Sequence, residues 1–385
     1  MSTFLSGISI VQLTVPKTAM ILIALFLSYL AIKKKYEPML LLPLAFGILI
    51  ANIPISGLDA YFIDGDRRGL MNFLYQGVIG VIYPPLIFLC IGTMTDFGPL
   101  ISSPRSALIG LGGQLGIFVA FGASLFVGNM LSPVIPGFDG FSLKEAASIA
   151  IIGSSDGPTS IYTATRLAPQ ILPSVAIAAF SYMALVPFIQ PPIMKLLTTS
   201  KERVIVMPKP REVTQRQKII FPFAVTLITL LLVPAAGALV AMLMLGNIIR
   251  ESGVTRRYVQ ALSNDVLNVL TLLVAISIGS SATADRFLTP ETLIIIACGL
   301  LAFVFGTVGG ILIAKLLCLV TGGKVNPLIG NSGVSAMPMA ARISQRMGQQ
   351  YNPQNHLLMH AMGAIVASTI GSAVIAGLFI SNFSG

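Results

Sequence analysis

The sequence predicts an all-α polytopic membrane protein, built from inverted structural repeats whose two broken helices meet near the membrane midplane. Three observations predict it. Hydrophobic residues make up 55% of the 385 residues and charged residues only 10%, whereas a soluble domain carries roughly 25% charged residues. The 24 prolines imply several broken or kinked spans, because proline removes a backbone donor and clashes with the preceding turn. Two polar stretches bearing glycine and proline, 153–160 and 326–338, interrupt apolar runs. A mean hydropathy of +0.88 and 36 glycines fit close packing of transmembrane helices.

Residues 1–38 hold an N-terminal segment and the first span. Met1 to Lys17 is mildly amphipathic and too polar to span; Thr18 to Ile32 crosses and is closed by Lys33, Lys34 and Lys35. No basic n-region leads into a cleavage-like site, so no removable signal peptide is expected. Residues 39–197 form the first repeat. Its spans are Met39–Ile55, Tyr75–Met94 with Pro84 and Pro85 in its middle, the glycine-rich Ala107–Val127, the broken Ser142–Ala168, and Leu172–Leu197.

A basic loop, 198–218, follows. With Lys195 it gathers Lys195, Lys201, Arg203, Lys209, Arg211, Arg216 and Lys218 against Glu202 and Glu212. The second repeat, 219–385, contains Ile219–Leu232 and Ala235–Ile249 around Pro234, then Asp265–Ser281, Leu293–Val320, the broken Leu328–Ile343 and Leu357–Ile380. The net charge of +10 reads as cytoplasmic basic loops rather than nucleic-acid binding. Cys90, Cys298 and Cys318 lie in separate apolar runs as buried thiols, and His356 and His360 lack the companions of a metal site.

Three echoes occur in the same order in both halves. The Gly47 span resembles the Gly246 span. Ile91-Gly92-Thr93 resembles Ile278-Gly279-Ser280, and Ile152-Gly153-Ser154-Ser155 resembles Ile329-Gly330-Asn331-Ser332. Lys33–Lys35 and the basic loop should both face the cytoplasm, but simple alternation of spans puts them on opposite sides. One parity change resolves this. It is supplied if the stretch around Asp156 enters and leaves on one face, or if a span is miscounted. The second half then starts in the opposite direction, as in inverted-repeat transporters.

Asp156 is the chemical focus. Gly157 and Pro158 beside it cannot continue a helix through lipid. Non-helical backbone at membrane depth is tolerated only where it is buried in protein or lines a cavity, and an intramembrane carboxylate is functional by default. The plainer reading is a helix cap in a surface loop. The second stretch, Asn326 to Pro338, offers amides and hydroxyls instead of a carboxylate. One negative charge with neutral oxygens suits Na⁺. A buried carboxylate can also hold a proton in place of the ion, so the site reads as exchanging Na⁺ for H⁺. Asn326, Ser332 and Ser335 serve equally as packing glue. Tyr182 needs a partner if buried. Arg342 holds an anionic group or is a plain helix-end charge.

With Phe97-Gly98-Pro99-Leu100 after Met94-Thr95-Asp96, with Asp156-Gly157-Pro158-Thr159, with Ser181-Tyr182-Met183-Ala184-Leu185-Val186-Pro187 and Gln190-Pro191-Pro192, and with Asn326-Pro327-Leu328-Ile329-Gly330, Gly333-Val334-Ser335-Ala336 and Pro338-Met339-Ala340-Ala341-Arg342, the chain resembles one family over nearly its whole length. That family is the beta subunit of the sodium-pumping, biotin-dependent decarboxylases of oxaloacetate, methylmalonyl-CoA, glutaconyl-CoA or malonate. The resemblance implies a multi-pass protein of the bacterial cytoplasmic (inner) membrane. It would decarboxylate carboxybiotin on a partner biotin carrier protein or domain and couple this to Na⁺ extrusion with consumption of a proton.

By the same resemblance, Asp156, Asn326, Ser335 and Gly330 would hold Na⁺. Asp156, Tyr182, Ser335 and Arg342 would serve the reaction, with Arg342 on the carboxybiotin side. The implied partners are a carboxyltransferase alpha subunit, the biotin carrier and a small membrane gamma or delta subunit, with beta subunits as a homotrimer and no nucleic acid. One departure stands out. Where the family commonly has Gly-Pro-Asn-Val-Ala-Gly, this chain has Gly363-Ala364-Ile365-Val366-Ala367-Ser368; Ile365 has no side-chain oxygen, and Ser368 compensates in part. The competing reading is an Na⁺/H⁺ antiporter or Na⁺-coupled organic-anion carrier, and a third is a membrane anchor for a cytoplasmic enzyme.

Overall fold

Helices form wherever apolar runs are long, and they break where the sequence places proline or glycine beside polar residues. The structure, a computed structural model, describes residues 12–54, 56–64 and 67–384; the first eleven residues of the expected N-terminal segment lie outside it. Helix α1 is Val15–Lys33 and α2 is Pro38–Ala51. A two-residue antiparallel pairing, β1 (Ile63–Asp64) with β2 (Arg67–Arg68), closes the loop that follows.

Helices α3 (Leu70–Ile79) and α4 (Tyr83–Met94) meet at 67°. The expected single span Tyr75–Met94 is thus two helices. The bend falls at residues 80–82, where Val81 takes φ 59°, and not at the prolines. Pro84 and Pro85 sit in the first turn of α4, where a missing N–H costs nothing.

The short α5 (Gly98–Ser102) leads to α6 (Ser106–Gly113) and α7 (Leu115–Leu131), a nearly continuous 26-residue span. Then come α8 (Leu143–Ala150), α9 (Gly157–Leu167) and α10 (Leu172–Leu197), the last bent by 61°. Helix α11 (Ser200–Arg203) lies in the basic loop. Helices α12 (Gln215–Leu232) and α13 (Gly237–Glu251) are separate spans on either side of Pro234. Helix α14 (Arg256–Gln260) runs through a π-helical turn into α15 (Leu267–Ser281). After α16 (Ala284–Phe287) come α17 (Pro290–Val320), α18 (Met339–Tyr351) and α19 (Leu358–Phe383).

Among the described residues seven helices are long and apolar enough to cross a membrane, or nine spans if each bent pair crosses once. The expected span Leu328–Ile343 is not one. It is a 3₁₀ turn, Pro327–Gly333, an extended Val334, and the start of α18.

Helix α17 sets the two ends of the molecule. Its 31 residues extend about 46 Å at 1.5 Å each. At its start Thr292 shares a hydrogen bond with Ser174; near its end Lys315 donates to the Leu197 carbonyl. Helices α8 and α9 form a hairpin whose mouth is at the first end, where Gln170 donates to Glu145 Oε1 at 2.8 Å. The stretch around Asp156 therefore enters and leaves on one face. The second hairpin, 326–351, opens at the other end. There Asn326 and Asn355 donate to the Arg203 carbonyl, and Asn352 to that of Val204.

The echoed segments pack against one another in pairs. A β-carbon on Gly47 would lie 2.5 Å from the Ile276 carbonyl oxygen, and one on Gly279 would lie 2.1 Å from that of Leu44. Gly92 and Gly246 pair likewise, at 2.0 Å from Leu243 O and 2.1 Å from Leu89 O. So α2 lies on α15 and α4 on α13. Each contact is the exchange image of the other, the relation a two-fold axis between the halves would produce. Helices α6–α7 cross α17 antiparallel, with Gly112 against Gly309 and Gly116 against Ala302.

The basic loop is strapped to this second end. Arg203 donates to Thr198 Oγ1 and to Tyr351 Oη, each at 2.8 Å, and its guanidinium lies over the Tyr351 ring. Lys218 pairs with Asp96 at 3.2 Å and faces Glu251 at 3.8 Å. Burial opposes ionisation of Asp96, but the Gly98 N–H and the Lys218 ammonium hold its carboxyl below the usual range.

Candidate functional site

A reciprocal capping box starts the first hairpin: Glu145 N–H donates to Ser142 Oγ, and Ser142 N–H to Glu145 Oε2. This is the Ser-x-x-Glu pattern of a helix start. The helix tightens to a 3₁₀ turn at Ile151–Ser154 and ends at Ser155, which takes left-handed φ 54°. Asp156 is extended and caps α9, whose first turn carries Pro158. Its carboxylate accepts from Thr159 Oγ1 at 2.7 Å, from Thr159 N–H at 3.3 Å and from Ser372 Oγ at 3.2 Å. Asp156 is 5% exposed. Asp156 is thus a helix cap, as the plainer reading has it, but it is buried inside the protein and not in a surface loop.

The second tip is held by an amide pair. Gln190 donates to the Asn331 carbonyl at 3.0 Å, and Asn331 Nδ2 donates to Gln190 Oε1 and to the Ala340 carbonyl, each at 2.9 Å. The backbone then runs extended through Val334. There the tips join, because Ser335 N–H donates to the Ser154 carbonyl at 2.7 Å. Asp156 and Ser335 line one cavity of about 340 Å³, together with Ser155, Met337 and Pro338. It reaches Glu37 and Met94, beside the second end. Burial pushes the Glu37 carboxyl above its ordinary value, and Arg342 opposes this.

The expected site residues divide. Asp156 and Ser335 meet at the cavity. Asn326 does not line it. Its amide donates to the Arg203 and Ile205 carbonyls and accepts from Leu328 N–H, so it ties the second hairpin to the basic loop. Gly330 does not line it either; a β-carbon there would be 2.4 Å from Ile311 Cα, so it lets the turn lie on α17. Tyr182 is buried with its hydroxyl on the Ile296 carbonyl, while its neighbours Phe180 and Met183 line the cavity. Arg342 is exposed in a separate surface groove with Gln345, Arg346, Gln349 and Gln350.

Residues 16–383 match the family model described as the Na⁺-transporting oxaloacetate decarboxylase beta subunit. The chain belongs to this family. It is the membrane subunit of a sodium-transporting decarboxylase. This beta subunit is 50% identical to the methylmalonyl-CoA decarboxylase subunit beta of Veillonella parvula over 371 residues, covering 96% of this chain and 94% of the other. It is 47% identical to the glutaconyl-CoA decarboxylase subunit beta of Acidaminococcus fermentans over 375 residues, 97% and 95% of the two chains. It is 41% identical to the oxaloacetate decarboxylase beta chain of Klebsiella pneumoniae over 430 residues, 99% and 98%.

The sequence pointed to this cavity through Asp156 and Ser335 and missed their neighbours. Thr159 lies in a quoted motif. Ser372, 216 residues from Asp156, carries no local signal, since serine is common in this chain. Glu37, between the lysine run and the second span, carried no signal of its own. Gln190 sat in a quoted motif without a role, and Asn331 belonged to the second broken stretch; each becomes legible only once the other is seen to face it.

Proposed function

We propose that this beta subunit decarboxylates carboxybiotin brought by a carrier protein and moves Na⁺ through the cavity at the hairpin tips. The observation that carries the reading is the single cavity shared by Asp156 and Ser335, one from each hairpin. At the tips Asp156 supplies the charge, and hydroxyls around it supply neutral oxygens, a donor set for a hard monovalent cation. A proton on Asp156 is the alternative occupant, so ion binding and protonation exclude each other. In the reaction the N–CO₂ bond breaks, its electron pair stays on the biotin nitrogen, that nitrogen takes a proton, and CO₂ leaves. Asp156 lies where it can give up a proton as Na⁺ binds.

The pseudo-symmetric glycine pairs support two inverted repeats, 39–197 and 219–385, so that rocking one against the other would open the tips to alternate sides. Arg342, Lys33–Lys35 and the basic loop mark the second end as cytoplasmic, where a carboxylated carrier would approach Arg342. The relatives' names give three different acids, which fits a substrate handled by a separate carboxyltransferase. The test is purification of the full complex with avidin detection, followed by CO₂ release from carboxylated carrier added to the beta subunit. The reading expects a biotinylated partner and Na⁺-stimulated release. Na⁺ flux by the chain alone with no biotinylated partner contradicts it.

A further inference from the structure

We infer that the hydroxyl of Ser155 is a ligand of the Na⁺ site, and that Ser368 and Gln114 position the Ser335 hydroxyl as a second one. The inference rests on the reading that Na⁺ binds at the hairpin tips, and it names how this chain completes the site. Ser155 is 1% exposed and lines the cavity with Asp156 and Ser335. Among the described residues its Oγ has no hydrogen-bond partner. The other hydroxyls of the tip are committed: Ser154 to the Ile151 carbonyl, Thr159 to the Asp156 carboxylate and Ser160 to the Asp156 carbonyl. A buried hydroxyl without a partner is destabilising, and a cation beside the adjacent carboxylate satisfies it.

Ser335 is held differently. Its Oγ donates to Ser368 Oγ at 3.0 Å, which leaves the Ser335 lone pairs for a cation. Ser368 Oγ also accepts from Gln114 Nε2 at 3.0 Å. That nitrogen also lies 3.1 Å from the Gly110 carbonyl and 3.2 Å from the Ser368 carbonyl, so its two protons are shared among three acceptors. Two carbonyl acceptors around one atom require it to be the amide nitrogen. Ser368 and Ser372 are four residues apart on α19 and share a face; one holds Ser335 and the other Asp156. One carboxylate with neutral hydroxyls balances a monovalent and not a divalent ion, and oxygen donors suit a hard one.

The experiment is the melting temperature of the purified full-length chain against Na⁺ at constant ionic strength in K⁺, with no biotinylated partner present. An ion that binds the folded state raises it. Wild type should respond to Na⁺. Ser155→Ala and Ser155→Gly should each move the midpoint of that response about tenfold higher, the loss of one ligand. Agreement between them assigns the effect to the hydroxyl, because glycine relaxes the backbone and alanine does not. Ser368→Ala should move the midpoint in the same direction by less. If both Ser155 variants titrate like wild type while Asp156→Asn loses the response, the inference is overturned and the tip site stands. If wild type responds to Na⁺ no better than to K⁺, the tip site fails with it.

Discussion

The backbone amide of Ser335 donates to the carbonyl of Ser154 at 2.7 Å, so two re-entrant hairpins that open at opposite ends of the molecule are tied at their tips. Each hairpin alone would leave peptide groups unsatisfied at membrane depth, which is costly. Joined, they satisfy one another and enclose a cavity lined at the tips by the Asp156 carboxylate and the Ser155 and Ser335 hydroxyls. The tie also makes the site sensitive to any relative movement of the halves.

The glycine pairs should be intolerant of even one methyl group. In Gly92→Ala the new carbon would lie 2.0 Å from the Leu243 carbonyl oxygen, so two helix backbones must separate. Overpacking of this kind costs about 1–3 kcal/mol. Gly122→Ala is the control, since among the described residues its β-carbon would meet nothing within 4 Å. Thermal unfolding in detergent should show a clear drop for the first and none for the second. Equal behaviour would mean that α4 and α13 are not in contact as described.

Ile365→Asn should not restore a stronger ion site. Ile365 is fully buried in an apolar cluster with Ile109, Leu357 and Ala361. An amide placed there is left unpaired, at about 1–3 kcal/mol. The expected outcome is a lower melting temperature with no fall in the Na⁺ concentration for half-maximal decarboxylation. A shift to lower Na⁺ in this variant would show that position 365 reaches the ion after all.

The basic loop contains both staples and free charges. Arg203 and Lys218 are used in the fold, whereas Lys195, Lys201 and Lys209 are exposed. Neutralising those three should weaken association with the soluble partner most at low salt, because exposed charges act through a screened field. Melting should not change. Arg203→Ala should instead lower the melting temperature by freeing the loop. Binding that is equally tight at every ionic strength would reduce the loop to a topology signal.

Much of this was legible in the chain. Pro158 beside Gly157 and Asp156 announced a break, and the lysine runs demanded one parity change, which the Gln170–Glu145 contact supplies. The bend at Val81 was not legible, because Pro84 and Pro85 drew attention to a place where proline fits a helix start. Asn326 and Tyr182 looked like site residues by motif. Their side chains hold backbone carbonyls of other segments, and contacts across more than a hundred residues leave no periodic trace. The same holds for Ser372, found only once α19 is seen beside the first tip.

Asp156→Asn tests the central claim most directly. The measurement is Na⁺ uptake by reconstituted vesicles and CO₂ release from carboxylated carrier, made side by side on a variant shown to insert and to melt cooperatively. Removing the one carboxylate at the joined tips should bring both activities to background together. Near-normal Na⁺-stimulated decarboxylation in this variant would contradict the account.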